Sequence, residues 1–168
     1  MLSRIISLDS TVAAKVRKAK PPRWFRILLI SLTRAGDAWL WLALGLVAVL
    51  FGGKLGPVAF RAALTGVSIE ICLFVAIKRS LRRSRPDPAT WHRLKPIDSF
   101  SFPSGHAMTA FTVASALSWY FPGHPGLWIA AGGVAVSRVL TGQHFVSDVI
   151  AGSFMGWLVG WFAAFLLS

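Results

Sequence analysis

The sequence predicts an all-α fold: an integral-membrane helical bundle of about five transmembrane helices, preceded by N-terminal interfacial helices. Three observations predict it. Uncharged, largely apolar runs cover residues 38–53, 107–123 and 149–168, and about 20 such residues suffice to cross a bilayer core of about 30 Å. Hydrophobic residues make up 55% of the chain and eight are Trp, yet no stretch alternates apolar and polar as a half-buried strand does. Finally, 18 Lys and Arg face only 6 Asp and Glu, a net charge of +12. On a soluble chain that excess would suggest nucleic acid. The apolar runs argue against nucleic acid and give the cations two other uses, anionic headgroups and the bias of basic residues toward the cytoplasm. With 168 residues the chain is expected to be a single membrane-embedded domain, 1–168.

Residues 1–36 read as an amphipathic, interfacial segment. Ile5, Ile6, Leu8, Val12 and Val16 fall at roughly helical spacing among basic residues, the pattern of a helix lying on a surface. The basic residues come late and no long apolar run follows, so residues 1–20 do not read as a secretory signal. Pro21-Pro22 interrupts this segment, and Arg23–Arg34 is too short an apolar stretch to cross, with Trp24 at headgroup depth. Gly36-Asp37 reads as a turn and helix N-cap.

The first span is expected over residues 38–51 and the second up to Lys78. Glu70 lies inside the second and is expected to make a buried polar contact between spans. Cys72, the one cysteine, forms no disulfide framework or thiolate metal site and is expected to pack in the core. A polar loop from Lys78 to Phe102 follows, with Arg79, Arg82, Arg83, Arg85, Arg93 and Lys95. Arg79, Arg82 and Arg83 read as a basic helix end facing headgroups, and His92 and His124 as solvated loop residues. Spans three, four and five are expected over 104–121, 127–141 and 144–167. On the last, Gly152, Gly156 and Gly160 would allow close helix packing, within the bundle or in a homodimer.

The polar residues fall at one level. Lys78 and Arg85 flank the end of span two, Ser104, Gly105 and His106 open span three, and Arg138 and His144 bracket the turn into span five. One loop joins the first two clusters and two crossings separate them from the third, so all three meet at one membrane face. His144 and Asp148 are four residues apart, where a carboxylate can fix an imidazole's tautomer. Taken alone, Arg138, His144 and Asp148 fit an interfacial cluster snorkelling to water as well as a catalytic one. Together the clusters point to phosphate chemistry. Three fixed cations match a phosphomonoester, a helix N-terminus offers backbone N–H groups to an anion, and two histidines divide attack on phosphorus from protonation of the leaving oxygen.

Lys78-x6-Arg85-Pro86, Pro103-Ser104-Gly105-His106 and Ser137-Arg138-x5-His144-x3-Asp148 resemble the three signature motifs of the type 2 phosphatidic acid phosphatase superfamily. That superfamily includes bacterial lipid phosphatases, glucose-6-phosphatase and vanadium haloperoxidases, and the resemblance covers the catalytic motif region 78–148. It implies His144 as the nucleophile that forms a phosphohistidine, oriented by Asp148, with His106 as general acid. It implies Lys78, Arg85, Ser104, Gly105 and Arg138 as phosphate ligands, with no metal ion and no cofactor. The substrate implied is a lipid phosphate in the bilayer. A non-catalytic protein binding phospholipid headgroups is the rival reading, and a vanadate-dependent haloperoxidase a more distant one. Localisation is expected in the cell inner (plasma) membrane, multi-pass. Every Lys and Arg except Lys54 and Arg61 lies on the side of the catalytic loop and N-terminus, which places the active site on the cytoplasmic face by the positive-inside rule.

Overall fold

The computed structural model describes residues 2–92, 94 and 98–168; of the loop cations, Arg93 and Lys95 lie outside the described residues. Among the described residues there are seven α-helices: α1 (Leu2–Lys18), α2 (Arg23–Ala35), α3 (Ala38–Phe51), α4 (Gly56–Leu81), α5 (Gly105–Tyr120), α6 (Pro125–Leu140) and α7 (Val146–Leu167). A short 3-10 turn, Gly53–Leu55, leads into α4.

The expectation of about five spans is corrected. Two helical runs, Gly53–Leu81 and Val146–Leu167, are long and apolar enough to cross a bilayer, and a third if α2 and α3, bent by 65° at their junction, act as one broken span. The reason is that uncharged runs continue past helix ends. The run 38–53 yields a helix of 14 residues, and α5 and α6 have 16 residues each. At 1.5 Å per residue these reach only about 21–24 Å, short of a hydrocarbon core of about 30 Å. Two runs that cross still make this a multi-pass membrane chain.

The α5 helix is the hub. It is built largely of Ala, Ser, Thr and Val, and Ala107, Met108, Ala110, Val113, Ala114 and Ala116 are buried. Its closest neighbour is α7. A Cβ added at Gly152 would lie 2.6 Å from Ser104 O, and at Gly156 and Gly160 it would press on Met108 O and Thr112 O. These contacts step four residues at a time along both helices, so the two run parallel with their N-termini at one end. The glycine face is therefore filled by α5 of the same chain and is not open to a second copy. Gly156→Ala should accordingly lower stability by about 1–3 kcal/mol, the usual cost of overpacking. Gly132→Ala, where nothing lies within 4 Å of the added carbon, should be neutral or slightly stabilising. Thermal unfolding of the two variants in detergent checks the contrast.

Elsewhere, α4 runs antiparallel to α5, its Phe74 ring against Gly105, so its C-terminus joins the same end. Helix α2 lies along α6, with Thr33 Oγ1 2.9 Å from Ser137 Oγ. Cys72 is exposed rather than in the core. Leu73 beside it on α4 is exposed as well, so apolar neighbours on this helix do not signal burial.

Candidate active site

Four helix ends meet at one level: the C-termini of α4 and α6 and the N-termini of α5 and α7. A cavity of about 610 Å³ opens between them, and Lys78, Arg85, Gly105, His106, Arg138 and His144 all line it. Six of the eight expected site residues thus share one cavity. The other two, Ser104 and Asp148, are fully buried behind it.

Local folding explains the placement. Arg82 ends α4 in a left-handed conformation, φ 45°, which turns the chain so that Arg83 and Arg85 swing toward α7. Ser84 and Phe100 pair as a single β-bridge, closing the loop and returning Asp98 beneath α4. After α6, Gly142 takes φ 67° in a turn where a Cβ would lie 2.8 Å from Ala89 N. Glycine admits that backbone without strain. The turn folds back until Gln143 and His144 both donate their N–H to Arg138 O, at 3.1 and 3.2 Å.

His144 is held from both ring nitrogens. Nδ1 lies 2.7 Å from Ser101 O, a pure acceptor, so Nδ1 carries the proton. Nε2 lies 3.0 Å from Arg85 Nη1, a pure donor, so Nε2 presents its lone pair on the cationic side. Asp148 Oδ2 stands 3.8 Å from Nδ1, beyond hydrogen-bond reach. The carbonyl of Ser101 fixes the tautomer, and Asp148 contributes its charge. Burial pushes the His144 pKa down to about 4; Asp148 opposes the shift, and the Arg85 and Arg138 charges add to it.

Asp148 is anchored elsewhere. It accepts the Phe145 N–H at 2.9 Å, capping α7, and Arg83 Nη1 at 2.6 Å. Arg83 also reaches Asp9 of α1 at 2.8 Å and lies over the Phe145 ring at 4.2 Å. It faces neither headgroups nor the cavity; it is a tie between α1 and α7. Burial would raise the Asp9 carboxyl, but Arg83 and Ser147 hold it below the usual range.

The cations differ in how they are satisfied. Lys78 Nζ lies 2.8 Å from Asp98 Oδ2, and Arg85 Nη2 lies 2.8 Å from its Oδ1. Burial disfavours the Asp98 charge, yet those two partners keep its carboxyl below the ordinary range. Arg138 is only 4% exposed, and its Nε is buried with no partner among the described residues, as is Ser104 Oγ. Leaving a buried donor unpaired costs about 1–3 kcal/mol.

Several functional contacts were not foreseen from sequence: Asp98, Arg83, the Ser101 carbonyl, Asp9, and Asp37, whose Oδ1 is 3.0 Å from His106 Nε2. His92 is not a solvated loop residue but half-buried, with Nε2 2.6 Å from Thr141 O. Glu70 is buried as expected and accepts a hydrogen bond from Thr109 on α5 at 3.1 Å. Among the described residues no three His, Cys, Asp or Glu side chains gather as a metal site.

Comparison with known proteins sets this arrangement in a family. Over 96 residues the chain is 38% identical to a decaprenylphosphoryl-5-phosphoribose phosphatase of Mycobacterium tuberculosis, covering 56% of this chain and 54% of that one. It spans about half the length of the curated relatives it matches. Its fold matches that of a transmembrane PAP2 type phosphatidylglycerolphosphate phosphatase from Bacillus subtilis with a TM-score of 0.74 and 26% identity, covering 97% of this chain and 86% of that one. LpxE of Aquifex aeolicus shares the fold, with a TM-score of 0.76 at 23% identity and 93% and 94% coverage. The sequence profile of the PAP2 superfamily matches residues 38–167. That match runs from the first residue of α3 to the last of α7 and takes in all four helix ends around the cavity, so the chain belongs to the PAP2 superfamily.

Proposed function

We propose that this chain is a membrane phosphatase that removes a terminal phosphate from a lipid through a phosphohistidine at His144, without a metal ion. The observation that carries the reading is the continuity of the cationic cavity with an apolar groove. The cavity shares Ala38, Val67 and Thr109 with a neighbouring pocket of about 120 Å³ lined by Trp41, Leu42, Phe60 and Leu64. A phosphate held by Lys78, Arg85 and Arg138 would carry an apolar tail into that groove. Phosphatidate, phosphatidylglycerol phosphate and polyprenyl diphosphates all have this form, and the relatives' phosphoribosyl decaprenyl and phosphatidylglycerolphosphate substrates belong to the same chemical class.

In the first step the Nε2 lone pair of His144 attacks phosphorus, and the bond to the lipid oxygen breaks as His106 protonates that oxygen. In the second, water attacks phosphorus and the phosphorus–nitrogen bond breaks as His106 takes the water's proton, releasing phosphate and returning His144 to neutral imidazole and His106 to imidazolium. Lys78, Arg85, Arg138, Ser104 and the Gly105 N–H stabilise the charge on the phosphoryl oxygens. The basic side, which carries the site, faces the cytoplasm in this reading.

Phosphate release by the purified protein from a panel of these lipids tests the proposal. Release should persist in EDTA and be blocked by vanadate, which adopts the five-coordinate geometry of the transition state. Activity lost in EDTA and restored by Mg²⁺ overturns the metal-independent mechanism.

A further inference from the structure

We propose that Asp37 is the positioning residue for His106, setting which ring nitrogen transfers the proton and supplying the counter-charge when the ring is cationic. The proposal rests on the phosphohistidine reading above. Asp37 occupies the N-cap of α3 with the extended backbone of a capping residue, φ −66° and ψ 154°, yet makes no side-chain cap bond. An Asp at that position ordinarily turns its carboxylate onto the first free N–H groups, worth about 1 kcal/mol. Here Oδ1 is directed instead at His106 Nε2, 3.0 Å away.

The residue before it is shaped around the same ring. A Cβ at Gly36 would lie 2.8 Å from His106 Cδ2 and 2.7 Å from Val134 Cγ1. The hinge between α2 and α3 therefore fits against His106 with both of its residues, one by being small and one by being charged.

Charge explains the need. Burial disfavours a charge on His106 most, Arg138 from α6 and Arg85 from the loop after α4 add to this as like charges, and Asp37 opposes them. Lys78, Asp98 and Glu70 line the same cavity, but Asp98 is committed to Lys78 and Arg85, and Glu70 to Thr109. Asp37 is thus the carboxylate that can accompany an imidazolium at His106. Because Asp37 accepts from Nε2–H, Nδ1 is left to give the proton to the departing oxygen and to take one from water. Asp37 lies immediately before the stretch matched by the family profile and makes no contact with the reacting phosphorus in this role.

The test compares two phosphate esters in single-turnover reactions of the full chain. One is an alkyl phosphate, whose alkoxide must be protonated to leave; the other is a nitrophenyl phosphate, whose phenolate leaves without a proton. In Asp37→Asn and Asp37→Ala the rate of the first step should fall about 10–100-fold for the alkyl ester, and at least about ten times less for the aryl ester. Asp37→Glu should recover part of the alkyl rate. Equal losses on both esters mean a structural role and overturn the proposal, as does an unchanged alkyl rate. Wild-type protein that forms no phosphoenzyme from either ester overturns the phosphohistidine reading, and the proposal with it.

Discussion

Replacing His144 with alanine should abolish turnover, a loss of about 10⁴-fold or more, the scale on which nucleophile deletions fall. The expectation rests on the tautomer. With Nδ1–H bonded to Ser101 O, Nε2 keeps its lone pair on the cavity side, where Arg85 Nη1 lies 3.0 Å away and must yield it before it can attack. Its depressed pKa supports the same role. An ordinary imidazole is about three-quarters protonated at pH 6, whereas a group titrating at about 4 stays neutral there. Protonation removes the nucleophile, so phosphoenzyme formation should hold as pH is lowered to about 5 and fall as it passes through about 4. Rapid-quench trapping of labelled phosphoenzyme measures both effects. An intermediate that can still be trapped in His144→Ala overturns the assignment.

Removing Arg138 should act in two directions at once. Arg138 is buried, with an unpartnered Nε, and no ion pair among the described residues includes it. That is a desolvated cation with no direct ion pair, favoured only through space by Asp37 and Asp98; in the proposed complex a bound phosphate would pair with it directly. Arg138→Met should therefore lower kcat/KM about 10²–10³-fold, the cost of losing one preorganised donor to transition-state charge. It should also raise the unfolding temperature of the ligand-free protein. Arg138→Lys should not restore activity, since an ammonium lacks the guanidinium fork. Vanadate should stabilise the wild type against heat and the Met variant much less. A Met variant that is both fully active and no more stable refutes this account of Arg138.

The parts that sequence made legible are those in which residue type dictates chemistry. Lys78, Arg85, His106, Arg138 and His144 line one cavity because cations and imidazoles at the ends of apolar helices have few other uses. Helix was legible as well, but span number was not, because hydropathy cannot see where a run leaves the helix: residues 107–123 are all uncharged, yet α5 ends at Tyr120. Asp9, Asp37 and Asp98 were the least legible, since each depends on a partner from another part of the chain. Asp37 meets His106 across 69 residues and Asp9 meets Arg83 across 74. A signal did exist. The chain has 6 acidic residues against 18 basic ones, and every one of the six takes a hydrogen bond: Asp9, Asp37, Glu70, Asp87, Asp98 and Asp148. In so basic a chain a carboxylate is scarce enough to be worth a question at each occurrence.

The tie between α1 and α7 has a consequence for how the protein is made. Asp9 accepts the Ser147 N–H at 3.0 Å from 138 residues away, while Arg83 joins the same carboxylate to Asp148. At a synthesis rate of about 5–20 residues per second, roughly 7–30 seconds separate the emergence of Asp9 from that of its partner. During that interval the Asp9 carboxylate lacks the Ser147 N–H and hydroxyl that it meets in the folded chain. Helix α7 supplies contacts that lock α1 in place, so the surroundings of His144 are completed only after both helices have been made.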